Sequence, residues 1–131
     1  MDTKNRIRIP SKLKGEEKGF YFAKGADRCI FVYTKAGFDE LVEQMHSNVN
    51  QINGDIRKAI RLLNKSFVWL EGDAQGRMIL PPYLKEYARI EQDIVICGAD
   101  KRIEIWSKAV YDEYYKNEDE DVLGIYDMLG I

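Results

Sequence analysis

Lys4, Arg6 and Arg8 alternate near the start of the chain. Lys12 and Lys14 follow, with no acidic residue between Thr3 and Gly15. Period-two spacing places both arginines on one face of a strand. Guanidinium groups held there can clamp phosphates, and they can pair with guanine edges in a major groove, which a two-stranded β-ribbon can enter. The plain alternative is a solvated face, and exposed arginine on an edge strand also guards against aggregation. The net charge of −2 argues weakly against nucleic acid. Its distribution matters more, because Glu118-Asp119-Glu120-Asp121 balances a basic front.

Other chemistry finds little support. His46 is the only histidine, and Cys29 and Cys97 are far apart. One histidine and two separated thiols make no zinc site, and no Ser-His-Asp set can be assembled around His46. Neither standard glycine-rich phosphate loop occurs, and no carboxylate pair has acid–base spacing. The expectation is therefore a protein that is not an enzyme, with no catalytic residues, cofactor, metal or small-molecule substrate. No apolar run approaches a membrane span, and no signal peptide is visible. The cysteines read as free thiols in a reducing cytoplasm.

The basic stretch belongs to an element that occurs twice. Asp2-Thr3-Lys4-Asn5-Arg6-Ile7-Arg8-Ile9-Pro10 returns as Asp73-Ala74-Gln75-Gly76-Arg77-Met78-Ile79-Leu80-Pro81, at an offset of 71. Each copy reads as a tight turn feeding a short strand. Asp bonds its own backbone two residues on, Asn5 or Gly76 accepts a left-handed conformation, and Pro ends the strand. Lys12-Leu13-Lys14 answers Tyr83-Leu84-Lys85. Beyond these the offset becomes 73, so that Gly25-Ala26-Asp27-Arg28 answers Gly98-Ala99-Asp100-Lys101 and Ile30-Phe31-Val32-Tyr33 answers Ile103-Glu104-Ile105-Trp106. Two copies of this length are a duplicated small domain, not a solenoid.

Patterning supplies the remaining elements. Ile7 and Ile9 face inward. Phe20–Ala23 and Cys29–Tyr33 form an antiparallel hairpin, and so do Ile94–Cys97 and Arg102–Trp106. Thr34 caps a helix with Phe38, Leu41, Val42 and Met45 on one stripe. Asn48 to Gly54 is turn-like. A second helix from about Asp55 carries Ile56, Ala59, Ile60 and Leu63 on one face and Arg57, Arg61 and Lys65 on another. Phe67–Leu70 is a strand entering the second Asp turn. No matching strand precedes Asp2, so either the first unit lacks it or the true start lies upstream, and an open sheet edge is expected in the first unit. Ser107 caps a helix that turns Val110, Tyr111 and Tyr114 inward. The acidic segment leads into an apolar stretch, read as a short helix docking on a neighbour or as a disordered tail.

The paired Asp-x-x-x-Arg-x-x-x-Pro elements resemble the two SpoVT-AbrB units of the MraZ family. Arg102-Ile103-Glu104-Ile105-Trp106, followed by Lys108 and a tyrosine-rich helix, is similar to that family's second half. The resemblance covers nearly the whole chain. It implies an α+β fold, a duplicated swapped-hairpin AbrB-like β-barrel formed within one chain, with flanking helices. Residues 1–47 would be the first unit, 48–65 a connecting helix, 66–116 the second unit and 117–131 an acidic tail or short helix. It implies a ring-shaped homo-oligomer that regulates transcription in the cytoplasm, associated with the nucleoid. Its partner would be double-stranded DNA, at promoter repeats of the bacterial division and cell wall gene cluster. By position, Lys4, Asn5, Arg6, Arg8 and Arg77 are the DNA-binding candidates, while Asp2 and Asp73 shape the turns.

The alternative is an oligomeric protein-interaction module without specific DNA binding, docking through the acidic and apolar C-terminal segment. A hybrid antitoxin that binds DNA and a toxin is disfavoured by the duplication.

Overall fold

Alternating apolar residues closed by Asp turns and prolines dictate short strands, and the capped stripes dictate helices. A computed structural model describes residues 1–48 and 54–131 of the 131. The strands are β1 (Arg6–Arg8), β2 (Gly19–Lys24), β3 (Ile30–Tyr33), β4 (Val68–Glu71), β5 (Arg77–Ile79), β6 (Ile94–Ala99) and β7 (Arg102–Ser107). The helices are α1 (Ser11–Lys14), α2 (Lys35–Asn48), α3 (Gly54–Ser66), α4 (Pro82–Tyr87), α5 (Lys108–Tyr114) and α6 (Glu118–Leu129), with one 3₁₀ turn at Ala26–Arg28. The fold is α+β and all its strand pairing is antiparallel.

β1 and β5 form a two-stranded ribbon, and the other strands form a sheet in the order β4-β2-β3-β7-β6. The register carries the duplication. In the ribbon Ile7 pairs with Met78, and in the sheet Phe31 pairs with Glu104. Each is a pair of equivalent residues, one at the offset of 71 and the other at 73. Antiparallel pairing of equivalents is what a two-fold relation between the repeats produces. Both repeats feed one core, in which Ile7, Ile9, Met78 and Leu80 pack with Phe20, Phe22, Ile30, Val32 and Ile105. Each such side chain contributes about 1.5–3 kcal/mol on burial, and residues of both repeats lie in the one cluster.

β4 lies just before the second Asp turn, yet it crosses to pair with β2, setting Phe20 opposite Leu70. This moves the open edge. Among the described residues the outer strands of the five-stranded sheet are β4 and β6, so the bare edge expected in the first unit falls on the second hairpin instead. The crossover is the reason: β4 covers the β2 edge of the first hairpin and leaves β6 of the second hairpin at the margin of the sheet.

The Thr34 hydroxyl accepts from the Gly37 amide at 3.0 Å and caps α2. Phe38 stacks on Tyr21 with ring centres 4.0 Å apart. Leu41, Val42 and Met45 are half-buried, as are Ile56 and Ile60 on α3, but Ala59 and Leu63 of the expected α3 stripe are exposed. Most of the turn read from Asn48 to Gly54 lies outside the described residues. The Ser107 hydroxyl accepts from the Val110 amide and caps α5. Tyr114, expected inward, is 50% exposed. Its ring touches Trp106 at 5.2 Å, but a helix of two turns leaves the other ring face to water. The C-terminal segment is helical, and Gly130 ends α6 in the left-handed conformation. Cys29 and Cys97 are free thiols, and burial lifts the Cys29 thiol to about 12. Among the described residues no helix is long and apolar enough to cross a membrane.

Candidate nucleic-acid interface

Each Asp turn is built by one carboxylate. Asp2 Oδ1 accepts from the backbone amides of Lys4 and Arg6 at 2.9 and 2.8 Å, and Asp2 Oδ2 accepts from Arg6 Nε at 2.7 Å. Asp73 does the same with the amides of Gln75 and Arg77, both at 2.9 Å, and with Arg77 Nε at 3.0 Å. Asn5 and Gly76, the equivalent turn residues, have φ of 59° and 77°. Hydrogen bonding favours the ionised carboxylate. The Asp2 carboxyl is held below the usual carboxylate range first by the Arg6 amide, and that of Asp73 first by the Arg77 amide.

These bonds also aim the arginines. The Nε edge of each guanidinium is tied to its own turn, which fixes the side chain before any ligand arrives. Among the described residues the terminal nitrogens of Arg6 and Arg77 have no protein partner. Those nitrogens form the fork that recognises phosphate oxygens or the O6/N7 edge of guanine. Sequence reasoning treated Asp2 and Asp73 only as shapers of the turn, but they orient the arginines as well.

The ribbon brings three arginines together. Arg8 lies directly opposite Arg77, and Arg6 lies opposite Ile79. Arg6, Arg8 and Arg77 line one open cleft of about 490 Å³, beside Ile94 and Ile96 of β6. Like charges directly opposite on a ribbon are unfavourable, and an anionic ligand would offset that cost. Lys4 is exposed at the tip of the first turn. Asn5 is half-buried, and its side-chain oxygen accepts from Lys85 Nζ at 3.0 Å. That oxygen is already occupied, so Asn5 acts first as a support for the turn.

Lys85 was not among the residues singled out from sequence. The signal was present, because Lys85 is the repeat equivalent of Lys14. The two lysines are exchanged between units. Lys85 of the second repeat serves the first turn, while Lys14 of the first repeat reaches the second turn, its Cε 4.0 Å from where a Gly76 Cβ would stand. Lys14 shares an open hollow with Arg8 and Gln75. A larger hollow of about 760 Å³ lies between Arg89, Gln92, Asp93 and α5. It mixes charges of both signs and gathers no convergent set. Among the described residues no group of His, Cys, Asp and Glu could hold a metal ion.

Residues 68–123 match the family model described as "MraZ protein, putative antitoxin-like". The chain is 38% identical over 121 residues to the transcriptional regulator MraZ of Caldanaerobacter subterraneus subsp. tengcongensis, covering 91% of this chain and 83% of the relative. It is 36% identical over 135 residues to that of Thermoanaerobacter pseudethanolicus, covering 100% and 94%. The transcriptional regulator MraZ of Symbiobacterium thermophilum is 38% identical over 131 residues, covering 99% and 94%. The chain belongs to the MraZ family. These MraZ relatives are named for regulation of transcription, not for an enzymatic activity. The match to the MraZ model runs from β4 into α6 and includes the second Asp turn, while the alignments with the MraZ relatives extend over the first repeat.

Proposed function

We propose that this chain is a sequence-specific, DNA-binding regulator of transcription, acting as a ring-shaped homo-oligomer on promoter repeats of the division and cell wall gene cluster. The observation that carries the reading is the β1–β5 ribbon, on which Arg6, Arg8 and Arg77 converge while Asp2 and Asp73 hold two of them in place. Relatives named as transcriptional regulators support it. Lys4 at the turn tip adds phosphate attraction, and Asn5 contributes through the loop it supports. The reading extends to a swapped-hairpin barrel, with units at 1–47 and 66–116, a connecting helix at 48–65 and a C-terminal segment at 117–131. Pairing of Ile7 with Met78 supports this exchange of strands. The site of action is the cytoplasm, at the nucleoid, and no cofactor or small-molecule substrate is needed.

A ring reconciles the acidic total charge with DNA binding. One basic turn would bind weakly, with Kd of order 10⁻⁴–10⁻⁶ M at physiological salt. Several identical turns meeting several DNA repeats gain through effective concentration, by about 10²–10⁴. A second reading, an oligomeric interaction module without DNA preference, is favoured by the exposed apolar α6.

Fluorescence anisotropy with DNA from upstream of the protein's own gene, against scrambled DNA across a salt series, separates the two. Preference for the native DNA, steep salt dependence and loss in Arg6→Ala are expected of the regulator. Equal weak binding to both DNAs, unchanged in Arg6→Ala, would leave the interaction module.

A further inference from the structure

Two exposed helices, α3 and α6, lie outside the β1–β5 ribbon. α6 buries no residue, and Leu123, Leu129 and Met128 are 61%, 61% and 77% exposed. A helix apolar around much of its circumference belongs against another protein surface. Its first turn is the acidic run 118–121. α3 is its complement in charge. Leu62, 57% exposed, lies four residues after Lys58 and three before Lys65, on one helix face, with Arg61 beside it. Among the described residues Lys58, Arg61 and Lys65 make no ion pair. α3 and α6 of one chain do not pack face to face.

We propose that α6 of one copy docks on α3 of the next copy, its acidic first turn against Lys58, Arg61 and Lys65 and its apolar body against Leu62. Two different surfaces then meet at every junction. Such a head-to-tail contact repeats from copy to copy and closes into a ring when the rotation allows. The inference rests on the ring named above and supplies its interface. It also keeps the acidic segment away from DNA, since that segment is neutralised by a neighbour's lysines and arginine. Complementary charge sets partner choice and register, and the apolar contact excludes water.

The test uses the full chain and two charge-reversed forms. One carries Lys58→Glu, Arg61→Glu and Lys65→Glu. The other carries Glu118→Lys, Asp119→Lys, Glu120→Lys and Asp121→Lys. All seven side chains are exposed, so circular dichroism should match the native chain. Assembly is read by sedimentation over a concentration series in about 0.15 M salt. The native chain should assemble. Each reversed form alone should need at least about tenfold more protein to do so, a loss of about 1.4 kcal/mol. An equimolar mixture should recover assembly, because the reversed α3 then meets the reversed α6. Two reversed forms that assemble like the native chain would overturn this interface and leave the ring standing. A mixture that fails to recover would overturn it too, by showing that these charges act separately. A native chain that stays monomeric would remove the ring and this interface together.

Discussion

The two Asp turns share a skeleton and differ in decoration. Asp2 and Asp73 make the same three hydrogen bonds, each within about 0.3 Å of its counterpart. Around that skeleton the first turn carries Lys4, Asn5 and Arg8, where the second carries Gln75, Gly76 and Ile79. The carboxylate that ties the backbone is common to both turns, whereas the residues on the solvent face differ. The constant part therefore reports architecture. The variable part gives the first turn the higher positive charge, so the proposed DNA contact is expected to fall mainly there.

The largest expected effects test whether the two turns stand on one foundation. Ile7 and Met78 pair across the ribbon and are 2% and 1% exposed. Ile7→Ala and Met78→Ala should each lose about 2–5 kcal/mol in urea unfolding, in a single transition. Two separate transitions would mean that the repeats fold independently.

Next comes the difference in function. Arg6→Ala should weaken binding to native DNA by about 1–3 kcal/mol and flatten the salt slope by about one. Arg77→Ala should cost less, and Gln75→Lys with Ile79→Arg should strengthen binding. Anisotropy that ranks Arg77→Ala as the worse loss would reverse the assignment of the two turns.

Smaller effects probe the turn residues. Gly76→Ala has room for its methyl group but holds φ at 77°, so it should cost about 1–2 kcal/mol. Asn5→Gly relieves a similar strain and loses the bond from Lys85, so its thermal midpoint should stay close to native.

The smallest effect is electrostatic. Both aspartates have folded values below 3.8. Their stabilisation is therefore complete above about pH 4 and is lost as pH falls through the lower folded values. Carboxyl titration followed by NMR should show Asp2 and Asp73 protonating later than ordinary aspartates on acidification. Asp2→Asn with Asp73→Asn should flatten the stability profile in that window. A midpoint at the ordinary value for either residue would break the likeness of the turns.

Much of the fold was legible from local chemistry. Alternation of Ile7 and Ile9, the Thr34 and Ser107 caps, and the repeat itself all act over a few residues or by direct likeness. The candidate site was legible only as a set of residue types, since Lys4, Arg6 and Arg8 stand together in sequence and Arg77 is the repeat equivalent of Arg6. Lys85 escaped notice because its role depends on reaching a turn 80 positions away. Tyr114 was misplaced because helical spacing says which residues share a face, and not how far a neighbour covers that face. The open edge was misplaced for a similar reason, because pairing of β4 with β2 is a long-range choice.

Two like units, an Asp turn with an arginine at the head of each, and the more basic character of the first were readable from residue order alone. Turn geometry and apolar period are set within a few bonds, so they can be read without the fold. Pairing of equivalent residues, the exchange of Lys14 and Lys85, and the placing of Arg8 opposite Arg77 came from long-range packing. Those outcomes follow from burying one core shared by both repeats, a condition satisfied only by the chain as a whole.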